Sequence, residues 1–274
     1  MFLQRFILGL HYSEHRRMFK NTPGGTLLNC VAPFLLAPFY GIPCGVYKSH
    51  HVLMHHVENN LCPHDLSGTD RYQRDNFLHF LFYLCRYMFA IWVELPYYMI
   101  TKGRYTTALS TFSLASSYLM IITLLYQVKP IQTLWVFVVP FLVSSLALMF
   151  GNWSQHIFVN PDNHTTASDY SNTYNCLNTP DNQKSFNDGY HIVHHVNARC
   201  HWSDMPSKFL DLIQEHINQD GLVFKGVGFF EVGLAVMTRQ LWWLANRTVD
   251  LQIPTRTQEE KIAMLKKRLA PVHR

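Results

Sequence analysis

The chain has 274 residues, 48% of them hydrophobic and 14% aromatic, but only 15% charged, against about 25% in an average soluble chain. A mean hydropathy of −0.03 nevertheless excludes a protein made wholly of membrane helices, so composition predicts a few spanning segments joined to a sizeable polar cap. The net charge of +5 is spread through loops and the C-terminus without a long Lys/Arg run, which favours the cytoplasmic face of a membrane and argues against nucleic acid as a partner.

Length predicts one domain over residues 1–274. Its opening, MFLQRFILGLHYSEHRR, lacks the long apolar core and small-residue cleavage site of a removable signal. Residues 27–47 are apolar but carry Pro33, Pro38 and Pro43, so a regular helix is excluded and a re-entrant or interfacial hairpin is expected. Residues 77–100 hold His79, Arg86, Glu94 and Pro96 and read as a helix lying along the interface. Residues 108–128 and 131–151 are free of charge and each is about 20 residues long, enough to span. With little more than Lys129-Pro130 between them, they predict a transmembrane helical hairpin over residues 107–151. Lys102 and Arg104 flank its start, which puts its two outer ends in the cytoplasm. Residues 152–274 are then a cytosolic cap with interfacial helices. Within it, the Asn/Asp/Ser/Thr-rich stretch 160–188 reads as loop, 202–218 as a surface helix, and 222–246 as an apolar segment lying on the membrane. The tail helix opens on a capping box, Thr257 to Glu260, and ends in basic residues.

The six cysteines form no CxxC pair, and several lie in apolar context, so they read as reduced, buried small hydrophobes. The sixteen histidines are the outlier. Residues 11–15 read HYSEH, 51–56 read HVLMHH, 152–156 read NWSQH and 191–195 read HIVHH. On an α-helix positions i and i+4 point within about 40° of each other, so each histidine box aims two imidazoles at one point. His56 and His194 are turned to the side, where a second metal would lie. His50 points about 100° away from His51 and is expected beside the site or in solvent. His64, His79, His164, His201, His216 and His273 have no partner at helical spacing and read as loop or packing residues. Nine clustered imidazoles exceed the needs of one metal and suit two. An imidazole-rich set leaves Fe, Cu, Zn and Ni open. A soluble-type di-iron site built on Glu-x-x-His is excluded, because no glutamate here has a histidine three residues later.

HYSEH, HVLMHH, NWSQH and DGYHIVHH together resemble the membrane fatty-acid desaturase family, whose signature is HxxxH, HxxHH or one residue longer, and HxxHH. The resemblance runs from about residue 8 to residue 205. It implies an all-α integral membrane protein in which a transmembrane hairpin carries a cytosolic helical cap with a histidine-box di-metal site. The implied metal ligands are His11, His15, His51, His55, His56, His156, His191, His194 and His195, with Asn152 acting directly or through water. The implied cofactor is two iron ions, with O2 as co-substrate. The implied partners are an acyl-CoA or acyl-lipid substrate, membrane lipids, and a separate electron donor of the cytochrome b5 or ferredoxin type. A multi-pass protein with its active site facing the cytoplasm follows, in the endoplasmic reticulum if the cell is eukaryotic. Only ten residues precede His11, whereas family members have spanning helices before the first box, so the chain is expected to be a short form or to lack N-terminal transmembrane helices. Thr22-Pro23-Gly24-Gly25 stands where a fused haem domain would show His-Pro-Gly-Gly and is read as a turn. A lipid hydroxylase of the same superfamily shares the ligand set, and an inactive membrane scaffold is the non-enzymatic alternative. Glu58, Asn59, Asn60, Asp188 and Asn197 lie near the boxes and are candidates for orienting the imidazoles.

Overall fold

The computed structural model describes residues 2–163, 165 and 168–272, so His164 and His273 lie outside the described residues. The fold is predominantly helical and divides into two compact units, residues 1–57 with 84–149, and residues 58–83 with 150–274.

In the first unit, the opening helix Phe2–His15 buries Ile7, Leu8, Leu10 and His11 on one face. The proline-rich stretch is helical but irregular, as the prolines demand. The α-helix Pro23–Cys30, capped by Thr22, runs into a π-helical turn Val31–Leu36 and a 3-10 turn Ala37–Tyr40. The chain reverses at Gly41, whose φ of 73° is the left-handed conformation that favours glycine. A Cβ there would also strike the backbone of Pro140 and Phe141, so the turn packs directly on the helix Pro130–Gln155. Ile7, Leu10, Ala37, Ile42 and Tyr47 form a buried cluster that ties the opening helix to this reversal. The helix Val46–His50 follows and continues through a π-helical turn, His51–His55.

Among the described residues, two helices are long and apolar enough to cross a membrane, Tyr105–Val128 and Pro130–Gln155. Only 22% of the most apolar window of each is buried within the protein, and Leu109, Met120, Leu124, Trp135 and Leu146 are exposed. Lipid is the solvent for which such a surface is suited. The expected helix over 77–100 is two helices, Phe77–Ala90 and Glu94–Thr101, bent by 69° at a short break. Across the break the Arg86 guanidinium donates to both carboxylate oxygens of Glu94. The two charges that argued against a span thus neutralise each other, which lowers the cost of placing them near lipid. Counted as one span, the bent pair would be a third.

The second unit corrects two expectations. Stretch 160–188 is not all loop: it holds the helices Asp169–Asn172 and Pro180–Lys184 and the strand β1, Tyr174–Leu177. The 222–246 segment begins as a strand, β2, Leu222–Lys225, before its helices Phe229–Met237 and Leu241–Ala245. The two strands pair in parallel, with Asn175 opposite Val223. All-α is therefore right except for this pair, whose four-residue strands are too short to show a period and meet only through long-range pairing. The tail helix Gln258–Leu269 has the expected capping box. Its end is held by the fully buried Arg74, which donates to the carbonyls of Arg268 and Ala270, and also to those of Ile157, Thr69, Asp70 and Tyr72.

Candidate metal centre

In the first unit the first two histidine boxes converge. His15 Nε2 lies 2.9 Å from His51 Nε2, and His56 Nε2 lies 3.1 Å from the same atom. Donor nitrogens of His11, His15 and His51 all fall within 4.8 Å of one another. The ring of His55 stands 5.5 Å from that of His51 and 5.7 Å from that of His56. The expected α-helical pairing of His51 with His55 is altered by the π turn. The His56 N–H reaches back five residues to the His51 carbonyl. A π turn brings i and i+5 round to a common face, and that is how His56 meets His51 instead of standing aside.

Burial does the electrostatic work. For both His11 and His51, loss of solvent is the main reason that the pKa falls well below the usual histidine value, and repulsion from neighbouring imidazoles lowers it further. Neutral rings keep a lone pair for a metal. Tyr47 stands against the first box: its hydroxyl lies 3.2 Å from His11 Nδ1. Its signal was present in the sequence, four residues before His51, but a tyrosine in an apolar run reads as core. His50 is neither solvent-facing nor part of the Nε2 cluster; it is buried, 5.2 Å edge-on to the Tyr87 ring.

In the second unit His156 follows the end of the helix Pro130–Gln155, and His191, His194 and His195 sit buried on the helix His191–Val196. The rings of His156, His191 and His195 are 4.9–5.2 Å apart, centroid to centroid. His194 is 5.6 Å from His191. His156 Nδ1 donates to the Asn172 carbonyl at 2.8 Å, which fixes the tautomer with the lone pair on Nε2. Asp188 accepts a 2.6 Å hydrogen bond from Gln155 Nε2, and its other oxygen is 3.9 Å from His191 Nδ1. Burial pushes the Asp188 carboxyl up to about 7, with the Gln155 bond acting the other way.

Asn152 lies one turn before His156 and gives its amide N–H groups to the Ser67 carbonyl and the Tyr83 hydroxyl, at 3.1 and 2.8 Å. Its Oδ1 is therefore the atom turned to any other use. Of the five candidate orienting residues, Asp188 stands beside a box histidine, 3.9 Å from His191 Nδ1. Asn59 and Asn60 adopt left-handed turns and bond Asp169 and Thr69. Glu58 is buried, and Asn197 is an exposed helix-end residue. His79 and His201 hold turns, accepting from Gln73 N–H and Ser203 N–H.

The sequence model described as "Fatty acid desaturase" matches residues 1–224. The chain belongs to the fatty acid desaturase family. All ten candidate ligands lie inside the matched stretch, and family membership implies an oxidoreductase of the desaturase or hydroxylase type with metal-dependent chemistry. No curated protein and no solved structure gives a significant match.

Proposed function

We propose that the chain is a membrane-bound, O2-dependent fatty acyl desaturase. In this reading His11, His15, His51, His55, His56, His156, His191, His194, His195 and Asn152 hold two iron ions. The observation that carries it is the approach of the His15, His51 and His56 Nε2 atoms to within about 3 Å in neighbouring pairs, inside a family match that spans all the boxes. The donor set fits iron: the imidazoles are buried or half-buried, His11 and His51 are held neutral, and no cysteine accompanies them. Bound iron would supply the O2-dependent removal of two hydrogens from adjacent methylenes, reset by two electrons from a separate donor.

The chain's own residues bind and orient. Tyr47 holds the His11 ring, the Asn172 carbonyl sets the tautomer of His156, and Gln155 with Asp188 stands against His191. The substrate is an acyl-CoA or acyl-lipid, and the electron donor is of the cytochrome b5 or ferredoxin type. The protein is multi-pass, with the site on the cytoplasmic side, and in the endoplasmic reticulum if the cell is eukaryotic.

Metal analysis of the purified protein tests the first half, with about two irons per chain expected. Lipid profiling of cells with and without the gene tests the second, with a new double bond expected. A product bearing a hydroxyl and no new double bond would assign the chain to the hydroxylases, and an iron-free protein would reject both enzymatic readings.

A further inference from the structure

His216, which reads in the sequence as an ordinary packing residue, is buried on the helix Ile213–Asn218 and belongs to a chain of hydrogen bonds ending on the third histidine box. The direction of each bond follows from the end whose donor is fixed. The Ile192 N–H donates to Asn175 Oδ1 at 3.0 Å. The amide nitrogen of Asn175 must then face His216 Nε2, 2.8 Å away, and donate to it. Nε2 is thus the bare nitrogen, and the ring proton sits on Nδ1, which donates to the Leu212 carbonyl at 2.8 Å. No bond in the chain can be reversed without leaving a buried group unpaired.

Asn175 is fully buried in β1, held in register by Val223. Ile192 directly follows His191 at the start of the helix His191–Val196. Its N–H is among the first four of that helix, which have no partner within it. A six-residue helix has little stability of its own, so an outside acceptor at its first turn decides where it starts and how it is rotated.

We propose that Asn175 and His216 are positioning residues for the third histidine box: they fix the start and rotation of the helix that carries His191, His194 and His195, and through it the metal affinity of those side chains. The proposal rests on the reading of those histidines as metal ligands. The alternative is that His216 merely fills space between the rings of Tyr170 and Phe209, 4.9 and 4.8 Å away. Packing needs volume, whereas positioning needs an acceptor at the place of Nε2. His216→Gln retains the acceptor, and His216→Leu retains the bulk without it.

Both variants of the full chain are compared with the parent in two measurements. The first is amide hydrogen exchange over residues 190–196 after iron is removed with a chelator; the second is ferrous ion affinity. Exchange in the Leu variant is expected to rise about tenfold or more, and its iron affinity to fall about 10–100-fold. The Gln variant is expected within about threefold of the parent in both, since the bond to Asn175 survives. Equal protection in the Leu variant and the parent, or equal losses in the Leu and Gln variants, would overturn the proposal. If the Leu variant does not fold, His216→Met, apolar and adaptable, takes its place with the same expectations. A parent that binds no iron would sink the proposed function, while the exchange comparison would still decide whether the Asn175–His216 pair holds the helix.

Discussion

His55 and His195 come from different boxes, and each is almost wholly buried. Burying an imidazole costs stability unless its nitrogens are used, and in the proposed function a metal uses them. His55→Ala and His195→Ala are each expected to bring desaturated product below detection, with iron per chain reduced. Full product formation in either variant would remove that residue from the ligand set. Asp169 shows the opposite sign of electrostatics. Burial is the main cause that raises its carboxyl from 3.8 to about 6, with the Asn59 hydrogen bond opposing it. The folded state therefore holds a proton that the unfolded chain has already released, and stability falls as pH rises from about 4 to about 6, then levels off. Asp169→Asn keeps an acceptor for Asn59 and removes the titration. Thermal melts should show the variant more stable than the parent at pH 7.5 and equal at pH 4; a difference independent of pH would refute the assignment. At this scale the histidines were legible because repeated spacing is visible in one dimension. Tyr47, Gln155, Arg74 and His216 were not, since each acts through a contact 33 or more residues away in sequence or through a backbone carbonyl that sequence does not show.

The element that sequence reading placed correctly but shaped wrongly is the second histidine box. HVLMHH was read on an α-helix, and the backbone over His51–His55 is a π turn. Nothing in residue type announces this, because a π turn is one extra residue accommodated in a helix and the accommodation is decided by tertiary contacts. Here the Arg104 guanidinium donates to the Leu53 carbonyl, within the turn, at 3.0 Å. Deleting Leu53 would restore α spacing and carry His51 from i−5 to i−4 relative to His56. The imidazoles would then meet at different angles. The deletion is expected to lower iron affinity about tenfold or more, by analogy with the loss of orienting partners, while circular dichroism stays that of a helical protein. Unchanged iron affinity would mean that the π turn is incidental. The strands β1 and β2 are the contrasting case. Their pairing joins residues 48 apart, and its function is felt through Asn175, which no local pattern singles out.

For the whole molecule the prediction at stake is the topology. The two long apolar helices are separated by Lys129 alone, too little chain to recross a bilayer, so the tip of the hairpin and its outer ends must lie on opposite sides if both helices span. The apolar length and the outward-facing leucines, Met120 and Trp135 support spanning. Lys102 and Arg104 at the outer end argue that this end is cytoplasmic. Each position can be read with a single cysteine placed in a cysteine-free background. Lys102→Cys and Lys129→Cys would be treated, in sealed vesicles of known orientation, with a thiol reagent that cannot cross lipid. Lys102→Cys should label from the cytoplasmic side and Lys129→Cys only from the other. Labelling of both from one side would mean that the pair does not span. The site's orientation depends on the same arrangement: Asn152 opens the sequon Asn152-Trp153-Ser154, and an end held in the cytoplasm keeps it from the glycosylation machinery. Unmodified Asn152 in a glycosylation-competent eukaryotic cell is therefore the expected companion result, and a glycan on it would place the histidine-bearing end of the helix on the wrong side for a cytoplasmic electron donor.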